Sequence, residues 1–163
     1  MIQQIVQDPS PILHKKTLPI TGGFGSPFLK KLIADMMATL AAEDGLGLAA
    51  PQIGESLCMF VIPQSIAQKV RTPSLPFSFI KPLWPTVFIN PEITYYSKEK
   101  KTMEEGCLSI HGLFRPTPRS FKIKMKALDE RGRKLSITAE GLLARVFQHE
   151  TDHLNGVLFI ERL

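Results

Sequence analysis

The sequence has few cysteines and no export signal. Cys58 and Cys107 are the two cysteines in 163 residues, too few to suggest a disulfide-stabilised scaffold. The opening "MIQQIVQDPS" lacks a basic segment followed by an apolar one, so no secretory signal is expected. Both observations favour a reducing compartment, and we expect a cytoplasmic protein with free thiols.

Long apolar runs and repeats are also missing. No stretch reaches the roughly 18 consecutive apolar residues of a transmembrane helix. The composition is that of a globular protein, with 44% hydrophobic and 21% charged residues, and no internal repeat or low-complexity tract is present. The length predicts a single domain over residues 1–163.

The excess of positive charge is small, with 20 basic against 15 acidic residues. In "RSFKIKMKAL", Lys122, Lys124 and Lys126 alternate with apolar residues, which predicts a half-buried strand with a solvated face. No aromatic residue interleaves with these lysines to stack on bases, so we favour a solubilising surface over nucleic-acid binding. Attraction to an RNA-rich neighbour remains a weaker alternative.

One helix is indicated near the start of the chain. Ser26 and Pro27 match an N-cap followed by proline at the first helical position. Apolar residues recur at helical spacing from Phe28 to Leu40, and Gly45 is the expected stop. The apolar run "LCMFVI" then predicts a buried strand.

The remaining chain is predicted to be mostly strands. Prolines between Pro63 and Pro85 forbid a regular helix or central strand, so we expect a long surface loop. Strand patterns follow in "TVFINPEITYY", through Cys107 and at 121–128, where "DERG" forms a hairpin turn into "KLSITA". A late helix runs from Gly141 to Gly156, and "VLFIERL" is predicted to be a final short strand. The predicted class is α+β.

The late helix carries "QHETDHLNG", in which two histidines are four residues apart. Residues at i and i+4 lie about 40° apart around a helix, so His149 and His153 can bind one ion. Glu150, rotated by about 100° from His149, can reach a water on that ion. The pattern H-E-x-x-H is typical of metallohydrolases, and it outweighs the alternative of a helix with surface histidines.

Two histidines leave a catalytic site incomplete, because such an ion usually has three protein ligands and one open position. The candidates for the third ligand are His14, His111, Cys107 or an acid outside the helix. We favour Cys107, since a thiolate binds first-row divalent ions strongly and Gly106 before it allows close backbone approach.

The stretch "GLGLAA" matches the dinucleotide-binding pattern through Gly45, Gly47 and Ala50. Its context rejects nucleotide binding, because the preceding element is a helix, Pro51 follows at once and residues 63–73 contain no acid. Gln52 is then the notable residue, since its neutral amide can donate a hydrogen bond.

In this order, "GLGLAAPQIG", "EGCLS" and "QHETDHLNG" resemble the peptide deformylase family, and the likeness extends from "DPSPIL" to "GVLFIERL". The resemblance implies antiparallel sheets around a metal-bearing helix, together with an N-terminal helix. It implies hydrolysis of the formyl group from formylmethionine of newly made polypeptides, with release of formate. It also implies Fe²⁺ as the physiological ion, with Zn²⁺, Ni²⁺ or Co²⁺ as substitutes, whereas the ligand types alone favour zinc.

The resemblance also assigns roles to particular residues. Cys107, His149 and His153 correspond to the metal ligands, Glu150 to the general acid/base, and Gln52 and the Leu108 backbone N–H to the oxyanion donors. The positions implied to contact the substrate are Leu46, Gly47, Gly106, Arg119, Leu142 and Arg145. Arg119 is implied to lie near the far end of the peptide, although an exposed structural arginine is an equally good interpretation.

Two departures from the family pattern bear on partners. The loop over residues 63–85 is longer than compact family versions, which could alter access or oligomerisation. Many bacterial members continue into a C-terminal helix implicated in ribosome docking, whereas this chain ends at Leu163, so a transient ribosome contact is in doubt. We expect no membrane and no sequence-specific nucleic-acid partner, and the sequence does not define an oligomeric state.

Two rival functions are consistent with the same motifs. One is another metallohydrolase, such as a peptidase, which would cleave internal peptide bonds and would not use Cys107 as a ligand. The other is a structural metal module without turnover, which needs a fourth protein ligand. His111 is the obvious candidate for that ligand.

Overall fold

The computed structural model describes residues 1–68 and 86–162 of the chain. Within these ranges the helices are α1 (Pro27–Ala42), the one-turn α2 (Gln64–Ala67) and α3 (Gly141–Leu154). The strands are β1 (Leu48–Ala49), β2 (Met59–Val61), β3 (Val87–Tyr96), β4 (Lys100–Cys107), β5 (Ile110–Ser120), β6 (Lys122–Leu128) and β7 (Lys134–Glu140). Short 3₁₀-helices form at Pro11–His14, Ala50–Ile53 and Phe159–Glu161.

The strands form two antiparallel sheets. Five strands lie in the order β1-β2-β3-β6-β7, and β4 and β5 form a separate two-stranded sheet. The inward residues of β6 and β7 pack with α3 in one hydrophobic cluster, at whose centre the rings of Phe60, Phe88 and Phe147 contact one another. Sheets surrounding a central helix confirm the predicted α+β class.

Helix α1 begins as predicted but ends differently. Ser26 Oγ accepts a hydrogen bond from the Leu29 N–H at 3.2 Å, and Pro27 is the first helical residue. The left-handed residue after the helix is Asp44, with φ of 51°, and not Gly45. Aspartate tolerates this conformation better than most residues. Gly45 is required for space instead, because a Cβ there would lie 2.8 Å from Leu40 Cδ1.

Two other local predictions need correction. The expected loop from Pro63 begins with helix α2, whose Ile66 and Ala67 are buried; residues 69–85 of that prediction lie outside the described residues. The predicted final strand is a 3₁₀-helix, because the Glu161 carboxylate accepts a hydrogen bond from the Leu158 N–H at 2.6 Å and turns the chain. Among the helices described, none is long and apolar enough to span a membrane.

Candidate metal centre

Helix α3 holds several ionisable residues in the interior of the protein. Its apolar side, including Leu143, Phe147 and Leu154, packs into the hydrophobic cluster and fixes the rotation of the helix. Glu150 is 3% exposed and His153 1% exposed as a result. Burial of such groups without partners costs several kcal/mol, so the helix requires compensating chemistry at this place.

Cys107, His149 and His153 form a candidate set of metal-ligand atoms that can supply this compensation. His153 Nε2 lies 3.2 Å from both Cys107 Sγ and His149 Nε2, and one ligand atom from each of the three residues lies within 4.8 Å of the others. Ligand atoms in a tetrahedral site with bonds of about 2.0–2.3 Å lie about 3.3–3.6 Å apart. The two imidazoles and the sulfur therefore fit one divalent ion.

A carboxylate behind the ligands fixes the orientation of His149. The Nδ1–H of His149 donates to Glu105 Oε1 at 2.6 Å, which leaves the Nε2 lone pair free to face Cys107 and His153. Pairing of the outer imidazole nitrogen with a carboxylate is the usual second contact of a metal-bound histidine. This contact is a second reason that the residues fit an ion.

Buried arginines hold Glu105 in turn. Arg119 donates to both of its carboxylate oxygens, at 2.5 and 3.2 Å, and Arg145 donates to Oε2 at 2.7 Å. Arg119 is also paired with Asp152 on α3. Burial alone would raise the pKa of Glu105, but the hydrogen bonds from His149 and Arg119 outweigh it and hold that pKa well below its usual range. Glu105 therefore remains ionised.

The electrostatics of the cluster favour positive charge at its centre. Burial lowers the pKa of His149, but hydrogen bonds with Cys107 and Glu105 overcome this and raise that pKa to about 10. Burial, together with the positive charge near His149, lowers the pKa of His153 well below its ordinary value. An ion that binds here replaces the second proton of His149, because a histidine must be neutral to act as a metal ligand.

Glu150 lies beside the donor set in an apolar setting. Burial raises the pKa of its carboxyl group to about 7, the main opposing influence being positive charge near His149. Its Oε2 is buried and has no hydrogen-bond partner among the described residues. A Cβ at Gly47 would lie 2.5 Å from Glu150 Oε1, so glycine is needed for the carboxylate to occupy this place. The arrangement suits a base that exchanges protons near pH 7.

Two backbone segments bring neutral hydrogen-bond donors to the same place. Gln52 Oε1 accepts from the Ala49 N–H at 2.8 Å, which fixes the orientation of the amide. Gln52 Nε2 then points toward Ser109 Oγ at 3.2 Å and Cys107 Sγ at 3.6 Å. Leu108 directly follows Cys107 and lines the same cavity. These groups can stabilise negative charge that develops near the ion site.

A cavity of about 420 Å³ opens onto this centre. Its lining includes Cys107, His149, Glu150, Gln52, Leu108 and the expected substrate-contact residues Leu46, Gly47, Gly106, Leu142 and Arg145. The β4–β5 register shifts between Glu105 and Cys107, so the backbone at Gly106 departs from the regular ladder. Arg145 donates to Glu105, Lys101 O and Thr117 O, so its charge is compensated at the cavity wall.

The structure does not bring every candidate residue to the cavity. His14 pairs with Asp8, and His111 is exposed; neither belongs to the donor cluster. Arg119 is 5% exposed and lies outside the cavity lining, so the expectation of an exposed arginine is wrong. Its ion pairs with Glu105 and Asp152 explain the burial, and Glu105 in turn contacts His149.

Three residues of the site were not assigned from the sequence. Glu105 orients His149, Ser109 accepts a hydrogen bond from Gln52, and Phe114 lies over Gly106, where a Cβ would approach its ring to 2.5 Å. Glu105 and Ser109 are both within two residues of Cys107, and that proximity was the available signal. Phe114 carries no comparable signal, because its contact depends on the strand pairing.

The sheets around α3 and the Cys–His–His donor set with its adjacent glutamate define a metal-dependent hydrolase. Residues 2–163 match the family model described as polypeptide deformylase. A peptide deformylase of Mesorhizobium japonicum is 41% identical over 162 residues, covering 99% of this chain and 84% of the relative. The chain belongs to the polypeptide deformylase family.

Solved structures agree with this assignment. The crystal structure of peptide deformylase from Thermotoga maritima matches with a TM-score of 0.83 and 39% identity, covering 100% of this chain and 98% of that one. A K3U-bound class I type b peptide deformylase from Acinetobacter baumannii matches with a TM-score of 0.85 and 30% identity, covering 100% and 99%. The family assignment therefore holds for the fold as well as for the sequence.

Proposed function

We propose that this chain removes the N-terminal formyl group from formylmethionine of newly made polypeptides and releases formate. The observation that carries the proposal is the convergence of Cys107, His149 and His153 beside the Glu150 carboxylate at the end of a cavity of about 420 Å³. Membership of a family of metal-dependent deformylases supports the same reaction.

Cys107, His149 and His153 would hold one divalent ion. Such an ion, when bound, acidifies a water molecule and polarises a carbonyl oxygen. By resemblance the physiological ion is Fe²⁺, with Zn²⁺, Ni²⁺ or Co²⁺ as substitutes. The thiolate of Cys107 contributes negative charge that limits the acidification, so a separate base is needed.

Glu150 supplies that base. Its carboxylate, with Oε2 free of other partners in the described part of the chain, takes the proton of the attacking water. The same carboxyl group then delivers this proton to the amine that departs from the formyl carbon. Burial raises the pKa of this carboxyl group above its usual range, which favours both proton transfers near neutral pH.

Gln52 and Leu108 stabilise the oxygen of the formyl group as it gains charge. The Gln52 amide is held by Ala49 and Ser109, so its N–H groups are aimed before substrate arrives. The Leu108 backbone N–H is the second donor. Donors that need no reorganisation at the moment of reaction are effective, because their ordering cost is met during folding.

The substrate peptide lies along the backbone of Leu46, Gly47 and Gly106 as an added strand. The irregular register at Gly106 frees backbone groups for this pairing. Leu142 and the aliphatic part of Arg145 line the pocket for the methionine side chain. The guanidinium of Arg145 remains paired with Glu105, which avoids an unpaired charge beside an apolar side chain.

The natural substrates are nascent chains, so we place the activity in the cytoplasm with transient contact to the ribosome. A formal charge of +5 is consistent with attraction to an RNA-rich neighbour. No sequence-specific nucleic-acid contact and no membrane are part of this proposal.

The decisive experiment compares formyl-Met-Ala-Ser with acetyl-Met-Ala-Ser under anaerobic conditions, using protein whose metal has been quantified. Exclusion of air protects the thiolate from oxidation. We expect release of formate without release of acetate, and no turnover by Glu150→Ala at equal metal content. Cleavage of internal peptide bonds would instead identify a peptidase. An inactive protein with a fourth protein ligand on the metal would identify a structural module.

A further inference from the structure

A segment before the first helical turn contacts both parts of the site that carry oxyanion donors. This segment, residues 5–8, is called the arm here. The Val6 N–H donates to Gln52 O at 2.8 Å. The Asp8 N–H donates to Ser109 O at 2.9 Å, and Gln7 Nε2 donates to Leu108 O at 3.0 Å. The arm therefore forms hydrogen bonds with both proposed oxyanion donors, Gln52 and Leu108, and with Ser109, which follows Leu108.

The contacts at Leu108 and Ser109 occur where the β-ladder is interrupted. Cys107 pairs with Ile110, and the two residues between them form the turn from β4 to β5. Both residues lie outside the strands, so their carbonyl groups accept hydrogen bonds from the arm and not from a neighbouring strand. The orientation of this turn determines where the Leu108 N–H points.

Ser109 connects the turn to Gln52, the second proposed oxyanion donor, through hydrogen bonds. Its Oγ accepts from Gln52 Nε2 at 3.2 Å, while its carbonyl accepts from the Asp8 N–H. Together with the bond from Val6 to Gln52 O, these contacts fix the spacing between the Gln52 amide and the turn. The arm thus closes a ring of hydrogen bonds around the two donors.

We propose that Gln7 is a positioning residue for the oxyanion donors, acting through the turn that carries Leu108. This inference rests on the proposed function, in which Leu108 and Gln52 stabilise charge on the formyl oxygen. Gln7 does not line the cavity, so it acts without touching the substrate. Donors that lose their fixed orientation stabilise the transition state less, while binding of the neutral substrate is largely unchanged. The effect is expected in kcat and not in KM.

The test uses three variants in fully metal-loaded protein, assayed with formyl-Met-Ala-Ser. Gln7→Met keeps the length of the side chain and removes the donor, whereas Gln7→Lys retains a donor. Gln3→Met is the matched control, because Gln3 Nε2 donates to Asp35 Oδ2 on α1 at 2.9 Å and contacts neither donor segment. For each variant kcat, KM, metal content and the midpoint of thermal unfolding are measured.

We expect Gln7→Met to lower kcat about three- to tenfold, the size of one hydrogen bond's contribution, with KM and metal content unchanged and an unfolding midpoint no lower than that of Gln3→Met. Gln7→Lys should recover most of the loss, and Gln3→Met should retain the wild-type kcat. A wild-type kcat in Gln7→Met, or an equal loss in Gln7→Met and Gln3→Met, would overturn the inference while the proposed function stands. A wild-type protein inactive on this peptide would overturn both.

Discussion

The Glu105 carboxylate lies 2.6 Å from Nδ1 of His149 and also accepts hydrogen bonds from two buried arginines. The candidate metal ligand His149 is thus connected through one carboxylate to ion pairs that extend to Asp152 on the same helix. Strand β4 carries both Cys107 and Glu105. The positions of Cys107 and of the carboxylate that orients His149 therefore depend on the same strand. The retention of the ion should depend on this shared strand.

Glu105→Gln is expected to weaken metal retention about 10- to 100-fold, because an amide neither polarises His149 as a carboxylate does nor balances the two arginines. The measurement is metal content after dialysis against a graded series of chelator concentrations, with circular dichroism to verify the fold. Glu104→Gln, next to it on the exposed side of β4, is the control and should retain metal. Equal retention by both variants would contradict the role of Glu105.

Gln52→Leu should reduce kcat by about 100- to 1,000-fold, corresponding to loss of one preorganised oxyanion donor worth about 2.7–4 kcal/mol. KM should change little, since the amide is needed mainly when charge develops on the formyl oxygen. Steady-state kinetics on formyl-Met-Ala-Ser at equal metal content measures this split. A raised KM with an unchanged kcat would mean that Gln52 binds the ground state and does not act on the transition state.

Gly47→Ala tests whether Glu150 must occupy its present place. The added Cβ would come within 2.5 Å of Glu150 Oε1 and within 2.8 Å of Cδ, so the buried carboxylate has to shift. A displacement of about 1 Å at a catalytic group can cost about 100-fold in rate, and we expect such a loss in kcat with metal content retained. Gly22→Ala, at a position with nothing within 4 Å, is the matched control and should be fully active.

The fold class and the candidate metal ligands could be predicted from the sequence, whereas the residues that support those candidate ligands could not. His149 and His153 follow from helical spacing, which is a local property, and the nature of the third ligand followed from the chemistry of Cys107. Glu105 and Arg119 have roles set by β4–β5 pairing and by packing against α3, which are long-range properties. For that reason an arginine expected to be exposed or near the peptide is instead a buried partner of two carboxylates.

Asp129, in the turn between β6 and β7, gives a pH-dependent prediction. Burial would raise its pKa, but hydrogen bonds from Arg133 and the Arg131 N–H outweigh burial and lower it. A depressed pKa means that the contribution of Asp129 to stability is present above the unfolded pKa of about 4 and is lost as pH falls through the folded pKa.

Asp129→Asn should therefore lower the free energy of unfolding by about 1–2 kcal/mol at pH 7, and the difference from wild type should shrink toward pH 3. Urea unfolding of both proteins across this pH range measures the effect. Glu130→Gln, in the same turn but exposed, should match wild type throughout. A deficit that stays constant down to pH 3 would show that shape and not charge is responsible.

Phe114 is expected to set the preference for the residue that follows formylmethionine. Its ring lies over Gly106, is 67% exposed and borders the cavity mouth together with the exposed Met103 and Leu46. Contact with an apolar side chain there is worth about 1 kcal/mol, so Phe114→Ala should lower kcat/KM for formyl-Met-Leu-Ser about fivefold and leave formyl-Met-Ser-Ser nearly unchanged. The exposed Tyr95, absent from the cavity lining, supplies the control Tyr95→Ala. An equal loss on both peptides would mean that the ring supports the backbone at Gly106 and does not select the side chain.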